Sequence, residues 1–209
     1  MSLSELTEYR ARGINDLRNK TSWRDPSYGN HPWSGFQCTD PHRHDRSNFA
    51  YFVHAIRPID YSDPMEPIEH FLGKPAASIS FIFNGHTATL YGIGLILDVP
   101  CENIVSARPG DIGSRILDGT ATETEFLAAI KSSNDMYGVW PPEDLKRYAP
   151  VEREKNELYA ITGFKYSDRR RMTIIGVFSD DTVSSFFSNF AYAWSIQLHV
   201  PIVHLDKTW

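Results

Sequence analysis

The chain has 209 residues, 41% hydrophobic and 13% aromatic, enough apolar mass for a packed core in one domain or a tight pair of lobes. Charged residues make up 22%, which argues against wholesale disorder, and a formal net charge of −5 gives no general pull toward nucleic acid or anionic membrane. Two cysteines, Cys38 and Cys101, are too few for a disulfide framework and leave room for one bridge at most.

The opening MSLSELTEYRARG has no apolar stretch behind its first basic residues, so it does not read as a signal peptide. The longest apolar run, YGIGLILDVP, is too short to span a bilayer, and no membrane insertion is expected. A cytoplasmic protein is the expectation; an effector exported without a cleaved signal would read the same way. Leu3, Leu6, Ile14 and Leu17 recur near the 3.6-residue period and predict a helix over 3–19. Residues 20–48 are rich in Pro, Gly, Asn, Ser and His, a long irregular segment whose Trp23, Tyr28, Trp33 and Phe36 anchor part of it. Residues 1–48 are therefore expected to pack as an arm on a core of 49–209.

Within that core, Phe49 to Ile56 (FAYFVHAI) is dense in aromatic and β-branched residues and predicts a strand ended by Pro58. Met65 to Leu72 predicts a short helix stopped by Gly73. Ala77 to Phe83 alternates serine with apolar residues, a strand with one polar face, and Asn84-Gly85 signals a turn. Leu90 to Val99 predicts a strand in which Gly92 and Gly94 permit close backbone approach. Pro100 and the RPGDIG segment mark loops. Thr120 or Thr122, each followed three residues later by Glu123 or Glu125, is a capping-box signature ahead of EFLAAIKSS. Pro141-Pro142 opens a further helix through Tyr148. Glu157 to Thr162 and Met172 to Phe178 predict two strands. Val183 to Leu198 predicts a helix with Phe186, Phe190 and Trp194 on one face, which could serve a dimer, and PIVHL adds a last strand. The order predicts an α+β fold, because the regular alternation of a doubly wound sheet is missing.

Several groups could carry chemistry. His54 stands in an apolar strand, where an unpaired imidazole is costly; facing a cleft it could donate to a ribose hydroxyl. Ser78 and Ser80, two apart on a strand, share one face and could orient a ligand or steady an acid. Tyr91 beside two glycines could form a stacking floor. Glu157 opens a strand without the structural explanation that a capping box gives Glu125. Cys38, Asp40, His42 and His44 offer zinc-type ligands, but their spacing is too compressed for one ion, and no metal is expected. Arg57, Arg108 and Arg115 could clamp a diphosphate, and Arg169, Arg170 and Arg171 form a basic triplet.

Taken in order, FVHAI, SISF, Tyr91, LILDVPCENIV, NELYAI and IIGVF resemble the ADP-ribosyltransferase superfamily over about residues 49–180. That family includes bacterial toxins and DNA- or protein-modifying enzymes. The resemblance implies a single domain with a split, mainly antiparallel β core, peripheral helices, and NAD bound as substrate between two half-sheets. Two alignments compete. In one, His54 contacts ribose, Tyr91 stacks on nicotinamide and Glu157 is the catalytic acid. In the other, Arg57, the Ser78/Ser80 pair and the acid pair Glu123/Glu125 take those roles. Glu157 is preferred as the acid, with His54 or Arg57 holding NAD. The implied reaction is ADP-ribosyl transfer to a protein, nucleic acid or small molecule, or NAD glycohydrolysis. Two other readings stand beside it: a non-catalytic effector or immunity-type binding protein, and a nuclease or other nucleic-acid-directed enzyme using His42, His44 or the arginine triplet.

Overall fold

The computed structural model describes residues 50–57, 60–83, 86, 89–110, 122, 124–128, 139–152, 156–164, 170–180 and 185–205. The expected arm over 1–48, including Cys38, His42 and His44, lies outside them, as do Asn84-Gly85, Arg115, Glu123 and Arg169. Along the chain run β1 (Ala50–Ala55), α1 (Glu66–Leu72), β2 (Ala76–Phe83), β3 (Ile93–Asp98), a 3-10 turn (Cys101–Asn103), β4 (Ile104–Arg108), α2 (Pro142–Glu152), β5 (Glu157–Ile161), β6 (Thr173–Asp180), α3 (Ser185–Leu198) and β7 (Ile202–Leu205).

The strands form one seven-stranded sheet in the order β4-β5-β2-β1-β3-β6-β7. Every pairing is antiparallel except β6 with β7, which are joined through α3. The result is an α+β domain with a mixed, largely antiparallel sheet and peripheral helices. β1 lies at its centre. Tyr51, Phe52 and Val53 are all buried, which accounts for an apolar run without alternation. Among the described residues no helix is long and apolar enough to cross a membrane.

The ladders do not run evenly across the sheet. β1 pairs with β2 from Ala50/Phe83 to Val53/Ser80. Past that point β1 keeps to β3 through Ala55/Gly94, while β2 keeps to β5 from Ile79/Leu158 to Ala76/Ile161. The two wings also bend toward each other. In a flat sheet, strand spacing and residue rise would separate Thr162 from Met172 by roughly 30 Å. Instead the Met172 N–H donates to the Thr162 carbonyl at 2.9 Å. The side-chain amide of buried Asn103 fastens the same junction, donating to the carbonyls of Ile161 (2.8 Å) and Arg170 (2.7 Å). One apolar core, with Phe52, Ile79, Phe81, Leu97, Leu158 and Val177 among its members, runs across both wings. A smaller one covers the β2–β5 surface, where Phe126 of the helical turn 124–128 meets Tyr159 edge-on at 6.1 Å.

Several boundaries differ from expectation. The third strand starts at Ile93, so Tyr91 precedes it in a bend. Leu90 and Tyr91 end up exposed, and a strand there would have offered them no core to face. β4 has no counterpart in the expected elements: its four apolar or small residues follow directly on a proline and a 3-10 turn, and only pairing with β5 makes them a strand. In α3, Phe190 and Trp194 are buried edge-to-face at 6.0 Å as the spacing anticipated. His199 closes that helix with φ 53°, letting the Val200 N–H reach the Ser195 carbonyl at 3.1 Å before β7 begins.

Asp98, at the end of β3, is half-buried, and burial pushes its carboxyl up to about 6 against the opposing pull of Arg170. A carboxyl raised above its unfolded value binds its proton more tightly when folded, so stability is lost as pH rises through that window, from about 4 to about 6. Asp98→Asn should therefore stabilise the protein at pH 8 by about 1–2 kcal/mol and change little near pH 4. Thermal midpoints of both proteins across that range check it; parallel curves would show that Asp98 does not titrate this way.

Candidate functional site

The preferred acid is the first residue of β5, and its position is set by its neighbour. The buried side-chain amide of Asn156 accepts from the Phe81 N–H at 2.6 Å and donates to the Phe81 carbonyl at 2.5 Å. It thus imitates a strand residue and fixes where β5 meets β2. Glu157 follows, 4% exposed, on the face it shares with Tyr159, which stands opposite Ser78. Asn156→Asp replaces the donor with an acceptor facing the Phe81 carbonyl. It should cost about 3 kcal/mol, more than Asn156→Ala, read as a lower urea midpoint at unchanged slope. Equal losses in the two variants would show that the donor is dispensable.

The Ser78 hydroxyl donates to Glu157 Oε1 in a close contact. On the other side, His54 Nδ1 lies 2.8 Å from the Ser78 backbone carbonyl. A carbonyl only accepts, so the ring proton sits on Nδ1, and Nε2 of the neutral ring is an acceptor. The ring packs on Phe71 of α1 at a centroid distance of 4.9 Å, which holds its plane. By register His54 shares the Phe52/Phe81 face of the sheet and reaches the Ser78 carbonyl from there, whereas the Ser78 hydroxyl and Glu157 meet on the other face, next to the point where β1 and β2 cease to pair. His54 and Ser78 are half-buried, and Glu157 is buried.

The other expected residues stand apart from these contacts. Ser80 is buried on the same face of β2, two residues from Ser78. Arg57 lies just past β1, exposed, with its guanidinium 3.8 Å from Asp60. Tyr91 is 38% exposed, two residues before β3. The Ile56 N–H donates to the Ile93 carbonyl at 2.9 Å, so Arg57 and Tyr91 occupy the same end of the sheet as His54. Glu125 is occupied as a helix cap: its Oε2 accepts from the Thr122 N–H (2.7 Å) and hydroxyl (2.8 Å), and its own N–H donates to the Thr122 hydroxyl at 3.2 Å. The two side chains in contact thus come from different alignments, the glutamate from one and the strand serine from the other, with His54 on the opposite face of the sheet.

Sequence reasoning did not single out Asn156 or Asn103, although each is fully buried. An asparagine ahead of an apolar strand is the only local signal for the first; the second emerges only when the wings meet. Among the described residues no group of three His, Cys, Asp or Glu side chains is arranged to hold a metal ion. Cys101 is a buried free thiol, and burial, with Glu102 beside it, pushes its pKa up and away from reactivity. Compared with family models, curated proteins and solved structures, the chain matches none.

Proposed function

We propose that this chain breaks the nicotinamide–ribose bond of NAD and passes the ADP-ribosyl group to an acceptor or to water. The observation that carries the reading is the contact of the Ser78 hydroxyl with buried Glu157 on the neighbouring strand at the point where the two wings part, with His54 bonded to the Ser78 carbonyl from the other face. Two residues singled out for their chemistry, 79 positions apart in the chain, are in hydrogen-bond contact. A split sheet of the ADP-ribosyltransferase kind would open its NAD cleft there.

In this reaction the bond between ribose C1′ and the pyridinium nitrogen breaks, and its electron pair returns to the ring, releasing neutral nicotinamide. Positive charge spreads over C1′ and the ring oxygen of the ribose. The Glu157 carboxylate, oriented by the Ser78 hydroxyl, stabilises that charge in a site sheltered from water. The acceptor's nucleophilic atom bonds to C1′ and gives its proton to solvent or base. His54, bonded to the Ser78 carbonyl from the other face, steadies the strand that carries the serine. Arg57 and Tyr91, at the same end of the sheet, are suited to a phosphate and an aromatic ring. The step asks no metal of these residues.

The test is release of nicotinamide from NAD by the purified chain, alone and with a cell lysate. Release by the chain alone means water suffices; a lysate requirement means a macromolecular acceptor. No release in either condition turns the reading to a binding protein. For the nuclease alternative, His42 and His44 lie outside the described residues, and of the arginine triplet Arg170 and Arg171 are exposed, with Arg170 acting on Asp98.

A further inference from the structure

We infer that Arg108 is the counter-charge of Glu157 and that a one-residue bulge in β4 exists in the right place to make it so. A carboxylate 4% exposed cannot stay ionised at modest cost without a cation and hydrogen bonds nearby. Ser78 supplies a hydrogen bond. The cation comes from the register of the next strand. β4 pairs Ile104 with Ala160, but Ser106, not Val105, with Tyr159, so Val105 is an extra residue. Without it, Ala107 would stand across from Glu157. With it, Arg108 does, and directly opposite residues present their side chains to the same face at neighbouring positions. The bulge thus exchanges a methyl for a guanidinium beside the acid. The far edge of β4 is held as well: Ala107 bridges Val139 and its carbonyl accepts from the Trp140 N–H at 3.0 Å.

The other titratable groups near this face are accounted for. Tyr159 faces Phe126, Glu125 is folded onto its own helix cap at the exposed end of the helical turn, and His54 is directed at the Ser78 carbonyl. β2 contributes only serines and apolar residues. Arg108 is a positioning residue: it keeps Glu157 ionised and aimed without touching substrate. Its catalytic meaning rests on the proposed role of Glu157; the pairing itself does not.

The test is a double-mutant cycle that uses no NAD. Arg108→Gln strands a buried carboxylate and should lower the thermal midpoint at pH 7.5 by about 10 °C. Glu157→Gln in the same chain should restore most of that loss, because no charge is left to compensate. A variant Arg108→Gln too unstable to purify keeps the test intact, since recovery of soluble, cooperatively melting protein in the double variant is the same result. In the folded Arg108→Gln protein, the Glu157 carboxyl carbon, followed by NMR and assigned by its loss in Glu157→Gln, should titrate about 1–3 pH units higher than in wild type. Additive losses in the cycle, or an unmoved carboxyl titration, would overturn the pairing. A chain that pairs the two residues yet releases no nicotinamide would overturn the proposed reaction alone.

Discussion

Glu157→Gln is expected to lower nicotinamide release by about 10²–10³-fold while leaving the fold intact. Glutamine has nearly the shape of glutamate and keeps an oxygen to accept the Ser78 hydroxyl, so that contact survives. What disappears is the negative charge, and charge is what stabilises the sugar cation. If the charge acts only on the sugar cation, the loss should fall on kcat rather than KM. Ser78→Ala should fall between the two, since the carboxylate keeps its charge and loses a bond that aims it. The measurement is initial-rate release for the three proteins, alongside their melting curves. Wild-type rates in a folded Glu157→Gln protein would remove this acid from the chemistry. Glu125→Gln would then be the next variant, despite the three hydrogen bonds with which Glu125 caps its helix.

Much of this arrangement was legible before the fold was known, because some residues announce their environment. A histidine in FVHAI and a glutamate opening ELYAI are both costly in apolar strands unless they find partners, so each pointed to a site. Alternation in ASISFIF put the two serines on one face. None of these patterns says which strands are neighbours. Strand order and register come from long-range packing, and a strand as short as β4 acquires its identity only from β5. The bulge at Val105, which decides whether Ala107 or Arg108 meets Glu157, leaves no local trace. Tyr91 shows the opposite error: an aromatic beside glycines looked like part of a strand, but the positive φ of Gly92 (48°) turns the chain there and β3 begins after it. The capping box was readable because its four residues solve their hydrogen-bonding problem among themselves.

Gly94→Ala should be the most damaging small substitution near the site. A Cβ at Gly94 would lie 2.0 Å from the His54 carbonyl oxygen, 2.8 Å from Phe178 Cε1 and 2.9 Å from the Ala55 Cα. Two of those neighbours are backbone atoms of β1 and cannot rotate away. The third belongs to a fully buried ring. Relief therefore requires β1 and β3 to move apart at Ala55/Gly94, the rung that holds β1 after β2 has left it. The cost should be about 3 kcal/mol, a fall in melting temperature of roughly 6–12 °C for a chain of this size. Gly73→Ala provides the control. Its Cβ would meet only the Glu69 and His70 carbonyl oxygens, at 3.5 and 3.6 Å, and its φ of −80° suits alanine. That variant should melt at or slightly above wild type. If Gly94→Ala retains wild-type stability, β1 and β3 are not as closely apposed as this rung requires. If it folds at a lower melting temperature but releases nicotinamide at the wild-type rate, the position of the His54 backbone is not critical to the reaction. Loss of both together is the expected result, because at this point the backbone of the strand that carries His54 is paired with β3 and no longer with β2.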